Sequence, residues 1–339
     1  MYENLIKDLL LEQYSLVAEQ LELISHSNKM VYKVILSNKE QYMFDLFVKK
    51  EQEDTTSNDE NNKYYTPEAI ASEARIQQIL NENYPELKSP SPVRNKDGQL
   101  LSLMTLNGIS TQCLLRNFIP GVELTQYSPE YANQAYGAGV VAAKLHQCSI
   151  NHMQNEYSKR PVHRQQHVLK IINTIERGIE VGTITPAQYT IVKDALSFII
   201  QRMDEMDQNP EYIGIVHTDL RDANLLTDGE NVIPIDFGRC IYGYHLYDIG
   251  EMCAHMGGEG SIYCESIIKG YHSIRKLSHF DIVAIEGFKM LFILSVVAEF
   301  ILQTENSYVY DTLKRLTEND LVHLLAGEPV IPTIRSVIE

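Results

Sequence analysis

Residues 215–238 read IVHTDLRDANLLTDGENVIPIDFG, and they set Asp219, Asn224 and Asp236 at short intervals between apolar runs. The runs Tyr212 to Val216 and Val232 to Ile235, with turn residues between them, predict a small hairpin that carries all three polar groups on its loops. Phosphoryl transfer needs this inventory and little covalent chemistry besides. One carboxylate takes the proton of an attacking hydroxyl, and oxygen ligands hold Mg2+ against the phosphates. On this basis Asp219 is the base, and Asn224 and Asp236 are the metal ligands. A lone H-x-D is an ordinary turn with a capping acid, so the assignment rests on the three groups together.

The surrounding chain has the composition of a globular protein. Its 339 residues, 44% hydrophobic and 22% charged, suffice for two domains or one bilobal unit. A formal net charge of −16 and the lack of any Lys/Arg cluster argue against a nucleic-acid partner and fit a cationic or metal-complexed small ligand. The cysteines, Cys113, Cys148, Cys240, Cys253 and Cys264, are odd in number and form no C-x-x-C pair, which indicates neither disulfides nor zinc and fits a reducing cytosol. The opening MYENLIKDLLLEQYSLV carries acids and no basic region before an apolar run, unlike a signal peptide. The most apolar segment, Met290 to Leu302, is interrupted by Glu299 and falls short of the roughly 20 residues of a membrane span, so it predicts a buried helix and no membrane partner.

Periodicity divides the chain. Asn4 to Gln20 has helical spacing, and LELISHSNKMVYKVIL and QYMFDLFVKK read as strands joined by the turn SNKE, a helix leading into a hairpin. Lys50 to Lys63 is polar and without period, a surface loop. Thr66-Pro67-Glu68 opens a helix with Thr as cap and Pro at its first position. Leu100 to Leu106 and Cys113 to Phe118 are further strands, the second ending in the turn Ile119-Pro120-Gly121. Beyond it, Pro129 to Cys148, Gln165 to Gly178 and Pro186 to Met206 are amphipathic helices, and the last hundred or so residues are mostly helical too.

His217-Thr218-Asp219 with Asn224, followed by Asp236-Phe237-Gly238, matches the H-R-D-x-x-x-x-N and D-F-G motifs of protein kinases. With the plan of a small lobe before a helical one, the chain resembles the aminoglycoside phosphotransferase and choline kinase branch of that superfamily, whose members carry H-G-D-L-H-x-x-N and, further on, I-D-F/W. The resemblance implies an α+β, bilobal protein-kinase-like fold, with a nucleotide-binding lobe over residues 1–117 and a helical catalytic and substrate lobe over 118–339. It implies ATP and Mg2+ as cofactors, Asp219 as base, Asn224 and Asp236 on the metal, and His217 bracing the catalytic loop. Asp248, in HLYDIGEM, is structural by the same likeness. Glu73 is the helix glutamate that pairs the nucleotide lysine, and Asn117 to Gly121, including Ile119, form the hinge that meets adenine. His146 packs or caps a helix end, and Cys240 is a small core residue.

The sequence also departs from the family pattern. Thr218 replaces the usual Gly, a change tolerable in any backbone conformation except positive φ. Arg221, next to the transferring phosphate, is placed to stabilise its charge. No glycine occurs between Leu21 and Asn107 except Gly98, so SHSNKMVYKV has no glycine-rich phosphate loop, and Ser25, Ser27 and Asn28 are the substitutes. Aligned on the family's strand, YMFDLFVKK puts Asp45 where a basic residue is usual, and an acid there repels a triphosphate. Lys49 shares a strand face with Asp45 and is the first candidate for the nucleotide lysine; Lys33 is the second. Two functions follow. One is an ATP- and Mg2+-dependent kinase acting on a hydroxyl of an aminoglycoside-like, amino-alcohol or other amine-bearing small molecule; the other is a catalytically silent pseudokinase. A protein-directed kinase is set aside because Asp236-Phe237-Gly238 leads within a few residues into YGYHLYDIG, with neither an activation loop nor A-P-E.

Overall fold

The computed structural model describes residues 2–26, 29–48, 62–257, 262–331 and 334–337. Lys49 and the loop expected over Lys50 to Lys63, apart from its last two residues, lie outside them, as do Ser27 and Asn28. The chain divides into two units, Met1–Gly121 and Val122–Glu339.

In the first unit, helix α1 (Glu3–Tyr14) buries Ile6, Leu9 and Leu10. It stops well before Gln20 because Ser15 turns to φ +57°, and Ala18 already belongs to strand β1 (Ala18–His26). The expected hairpin is a three-stranded meander, since β1 pairs antiparallel with β2 (Met30–Leu36) and β2 with β3 (Gln41–Leu46). Strands β4 (Leu101–Leu106) and β5 (Ile109–Asn117) complete an antiparallel sheet in the order β1-β2-β3-β5-β4. Alternation places Met30, Tyr32, Val34 and Leu36 in the core with α1, and turns Val31, Lys33 and Ile35 to the opposite face. Helix α2 (Pro67–Asn83) starts where Thr66 Oγ1 accepts the Ala69 N–H, and its Ile70 and Ala74 pack on Phe47 and Leu114.

In the second unit the helices are α3 (Tyr131–His152), α4 (Gln165–Val181), α5 (Pro186–Met206), α6 (Leu246–His255), α7 (Ile262–Ile274), α8 (His279–Phe300), α9 (Ser307–Arg315) and α10 (Leu321–Ala326). Thr185 and Gln188 form a capping box on α5, and Ser278 with Asp281 form one on α8. The apolar stretch from Met290 lies in α8, where Leu291, Leu294 and Val297 are buried and Glu299 is exposed. Among the described residues no helix is long and apolar enough to cross a membrane. Helices α3 and α7 touch backbone to backbone: a Cβ on Gly139 would lie 1.9 Å from the Ile267 carbonyl, and one on Gly270 1.9 Å from that of Tyr136. Glycine is required at both positions for this close approach.

The expected hairpin around the central motif forms differently. Strand β7 (Ile213–Val216) pairs with β10 (Ile241–Tyr244), and β8 (Leu225–Thr227) pairs with β9 (Val232–Pro234) on one side and β6 (Val122–Glu123) on the other. The two apolar runs of the motif therefore belong to separate small sheets. Their connections, not one turn, carry the polar groups.

Candidate active site

The second unit assembles the central motif from the end of β7. Beyond Val216 the chain is held by Asp248, in the first turn of α6, whose carboxylate accepts the His217 N–H at 2.9 Å and the Thr218 N–H at 2.7 Å. Thr218 has φ +58°, the conformation a threonine was expected to avoid, and it is retained there by those bonds and by its Oγ1, which donates to the Arg239 carbonyl at 2.8 Å. Asp219 follows, partly exposed, and its Oδ1 accepts from Arg221 Nε at 2.9 Å. Arg221 is thus held on the carboxylate of the candidate base.

Asn224 closes the loop. Its Nδ2 donates to the Asp219 carbonyl at 2.9 Å, and its own carbonyl accepts the Ile235 N–H at 3.0 Å. With the amide nitrogen committed, Asn224 Oδ1 accepts no hydrogen bond among the described residues. Asp236 stands at φ +58°, which aspartate tolerates, at the start of the turn Phe237–Arg239. Fully buried His217 joins the two halves: its Nε2 donates to the Ile235 carbonyl at 3.1 Å, and its ring meets Phe237 edge-on. Asn224 Oδ1 and the Asp236 carboxylate are oxygen donors of the kind Mg2+ takes, one or two protein groups alongside phosphate oxygens. Among the described residues no group of three His, Cys, Asp or Glu could hold a metal.

Several supporting residues carry no sequence signal. His146 lies inside α3, not at its end, fully buried, with Nε2 donating to Asp248 at 2.9 Å and Nδ1 accepting from Tyr271 at 3.1 Å. It stacks on His245, with centroids 4.5 Å apart. Burial holds both imidazoles well below the usual histidine range, so the contact with Asp248 is a neutral N–H bonded to a carboxylate. Burial lifts Asp248 to about 6, outweighing His217 and the two backbone N–H groups that favour its charge. Glu251, one turn along α6, is pushed well above the carboxylate range by burial and then by Asp248 and Asp219. Buried Arg160 donates to the carbonyls of Gly238 and Cys240, both at 2.7 Å, and so pins the segment after Asp236. Cys240 is buried, as expected.

In the first unit, Asp45 is fully buried and accepts Arg116 Nη2 on both oxygens, at 2.7 and 2.6 Å, and Lys29 Nζ at 2.9 Å. Burial opposes its charge, but Arg116 and Lys29 outweigh burial and hold its carboxyl below the usual range. Lys29 Nζ also lies 3.5 Å from Glu73 on α2. The cation beside Glu73 is therefore Lys29, which no sequence motif marks. Lys33 lies instead with its ammonium 4.4 Å from the Phe118 ring centroid. At the expected hinge, the Asn117 N–H is committed to the Ser91 carbonyl at 3.0 Å and its side chain to the Ser91 N–H, whereas Ile119 makes no hydrogen bond among the described residues.

Comparison with known proteins agrees with this geometry. A sequence profile described as "Phosphotransferase enzyme family" matches residues 25–280. No curated protein sequence matches the chain. Among solved structures, a microcompartment-associated aminopropanol kinase is 18% identical, with 99% of this chain and 98% of that one covered and a TM-score of 0.69. Amicoumacin kinase, in complex with AMP-PNP, Ca2+ and Ami, is 16% identical over 98% of this chain and 96% of that one, with a TM-score of 0.67. An ethanolamine kinase of Plasmodium vivax is 17% identical over 98% and 89%, with a TM-score of 0.54. At these identities the structural likeness establishes a protein-kinase-like fold.

Proposed function

The chain belongs to the phosphotransferase enzyme family, and we propose that within it this protein is a kinase that moves the γ-phosphoryl group of ATP to the hydroxyl of a small amine-bearing alcohol. The observation that carries the reading is the catalytic loop itself. Asp219 presents a partly exposed carboxylate, while the backbone on either side is fixed by Asp248 and by Asn224. Such a carboxylate accepts the hydroxyl proton as the oxygen attacks phosphorus, and ADP departs. Arg221, now paired with Asp219, exchanges that partner for the transferring phosphate. Asn224 and Asp236 would hold Mg2+, which when bound neutralises the phosphate oxygens. Ile119, whose backbone groups make no hydrogen bond among the described residues, is the candidate contact for adenine.

The amine in the substrate is supported by charge. The chain carries −16 overall, and in the second unit Asp219 and Asp222 both lie within electrostatic reach of His255. The aminopropanol and ethanolamine kinases among the structural neighbours act on compounds of that class by name. The test is ADP release with MgATP and a panel containing ethanolamine and aminopropanol, for the native protein and for Asp219→Asn. The native protein should show turnover that depends on both Mg2+ and acceptor. Asp219→Asn should lose about 10²–10⁴-fold in kcat, the usual worth of a general base, with ATP affinity unchanged. Turnover of Asp219→Asn at the native rate would remove Asp219 from the role.

A further inference from the structure

We infer that Lys29, at the N-terminal end of β2, supplies the cation that meets the nucleotide phosphates, in place of the strand residue at position 45; this rests on the kinase reading above. Three observations converge. First, position 45 is occupied by a buried acid that a phosphate cannot approach favourably on its own. Second, the pairing register solves the geometry. Asp45 is directly opposite Val31 and Leu46 is opposite Met30, so the residue that immediately precedes β2 lies next to the stretch of β3 that carries Asp45. Lys29 Nζ therefore arrives beside the spot that a lysine side chain on β3 would serve, 2.9 Å from Asp45 and 3.5 Å from Glu73.

Third, the charges balance. Arg116 binds both oxygens of Asp45, and this pair is formally neutral. What remains is Lys29 with Glu73, the same lysine–glutamate combination that the superfamily uses to present a cation to phosphate. Glu73 is 2% exposed and its Oε1 makes no hydrogen bond among the described residues, so Lys29 is its electrostatic partner there. The lysine is also more exposed than the other members of the network, with 10% of its side chain accessible against 7% for Arg116 and none for Asp45. The acid that seemed to forbid a triphosphate instead anchors the lysine that receives it.

The test compares affinities for MgATP and for adenosine, by calorimetry on the full chain, in the native protein, Lys29→Met and Lys33→Met. Adenosine lacks the phosphates and so separates a phosphate contact from a fold effect. Lys29→Met should lose MgATP affinity by about 10- to 100-fold, the range for one charge-assisted hydrogen bond, and keep adenosine affinity; Lys33→Met should lose neither. Lys29→Gln retains an N–H donor for Asp45 and repeats the measurement if the methionine variant does not fold. Native MgATP affinity in either Lys29 variant, or an equal loss for adenosine and MgATP, would overturn the inference and leave the kinase reading standing. A native protein that binds no MgATP would instead overturn the kinase reading, and this inference with it.

Discussion

Replacing Thr218 by glycine and, separately, by alanine tests whether strain is stored in the loop that follows β7. An L-residue at φ +58° costs about 1–2 kcal/mol relative to glycine, with a β-branched side chain towards the upper end. The offsetting term is the bond from Thr218 Oγ1 to the Arg239 carbonyl at 2.8 Å, about 0.5–1.5 kcal/mol. Both variants lose that bond, and both keep the backbone N–H on Asp248. Alanine retains most of the strain, so its unfolding free energy should fall by about 1 kcal/mol. Glycine is relieved of the strain but gains about 0.5–1 kcal/mol of unfolded-chain freedom, which leaves it within about 1 kcal/mol of the native protein. Thr218→Gly should therefore be the more stable of the two, by roughly 0.5–1 kcal/mol. Urea unfolding followed by circular dichroism at pH 7.5, with midpoints compared at a common slope, reads the difference. An alanine variant as stable as the glycine variant would refute the strain argument, whatever either does to turnover.

Other outcomes follow from the packing and the buried charges. Gly139→Ala or Gly270→Ala puts a methyl 1.9 Å from a carbonyl oxygen, where contacts under 3.0 Å are essentially never seen, so α3 and α7 must part by about 1 Å. Each should cost about 3 kcal/mol or more, and a loss under about 1 kcal/mol in urea unfolding would contradict the close approach. His245 is held neutral, with its folded pKa depressed by burial, so its contribution to stability is complete above the unfolded value of about 6.5 and is lost as pH falls. The stability advantage of the native protein over His245→Gln should shrink by up to about 1.4 kcal/mol per pH unit below 6.5; an advantage constant from pH 7.5 to 5.5 would mean that His245 takes up protons in the fold as readily as out of it.

The division between what could and could not be read from the chain follows contact distance. Asp219, Asn224 and Asp236 lie in one short stretch, and their grouping is legible because the segment that joins them is local. Helix α2 was equally legible, since Thr66 and Pro67 act on the turn that immediately follows them. Helix α1 ends earlier than its period implies, because apolar spacing continues through residues that a left-handed Ser15 diverts into a strand. The partners of the motif's strands are illegible for a related reason: β7 needs β10, and nothing in an apolar run says which other run will supply its hydrogen bonds.

The sequence by itself determined the fold class, the order of its sheet-rich and helical parts and the grouping of Asp219, Asn224 and Asp236, all of which rest on periodicity and on residues close together in the chain. Tertiary structure decided which groups support that loop and which cation faces Glu73. His146 reaches Asp248 across 102 residues, and Asp45 meets Arg116 across 71. Lys29 lies nearer to Asp45 in the chain, but only the antiparallel pairing of β2 with β3 brings it alongside, and only the packing of α2 brings Glu73 within 3.5 Å. A lysine's charge can be read from one letter. Its partner is set by the three-dimensional path of the backbone, because a Coulomb interaction depends on separation in space and not on separation along the chain.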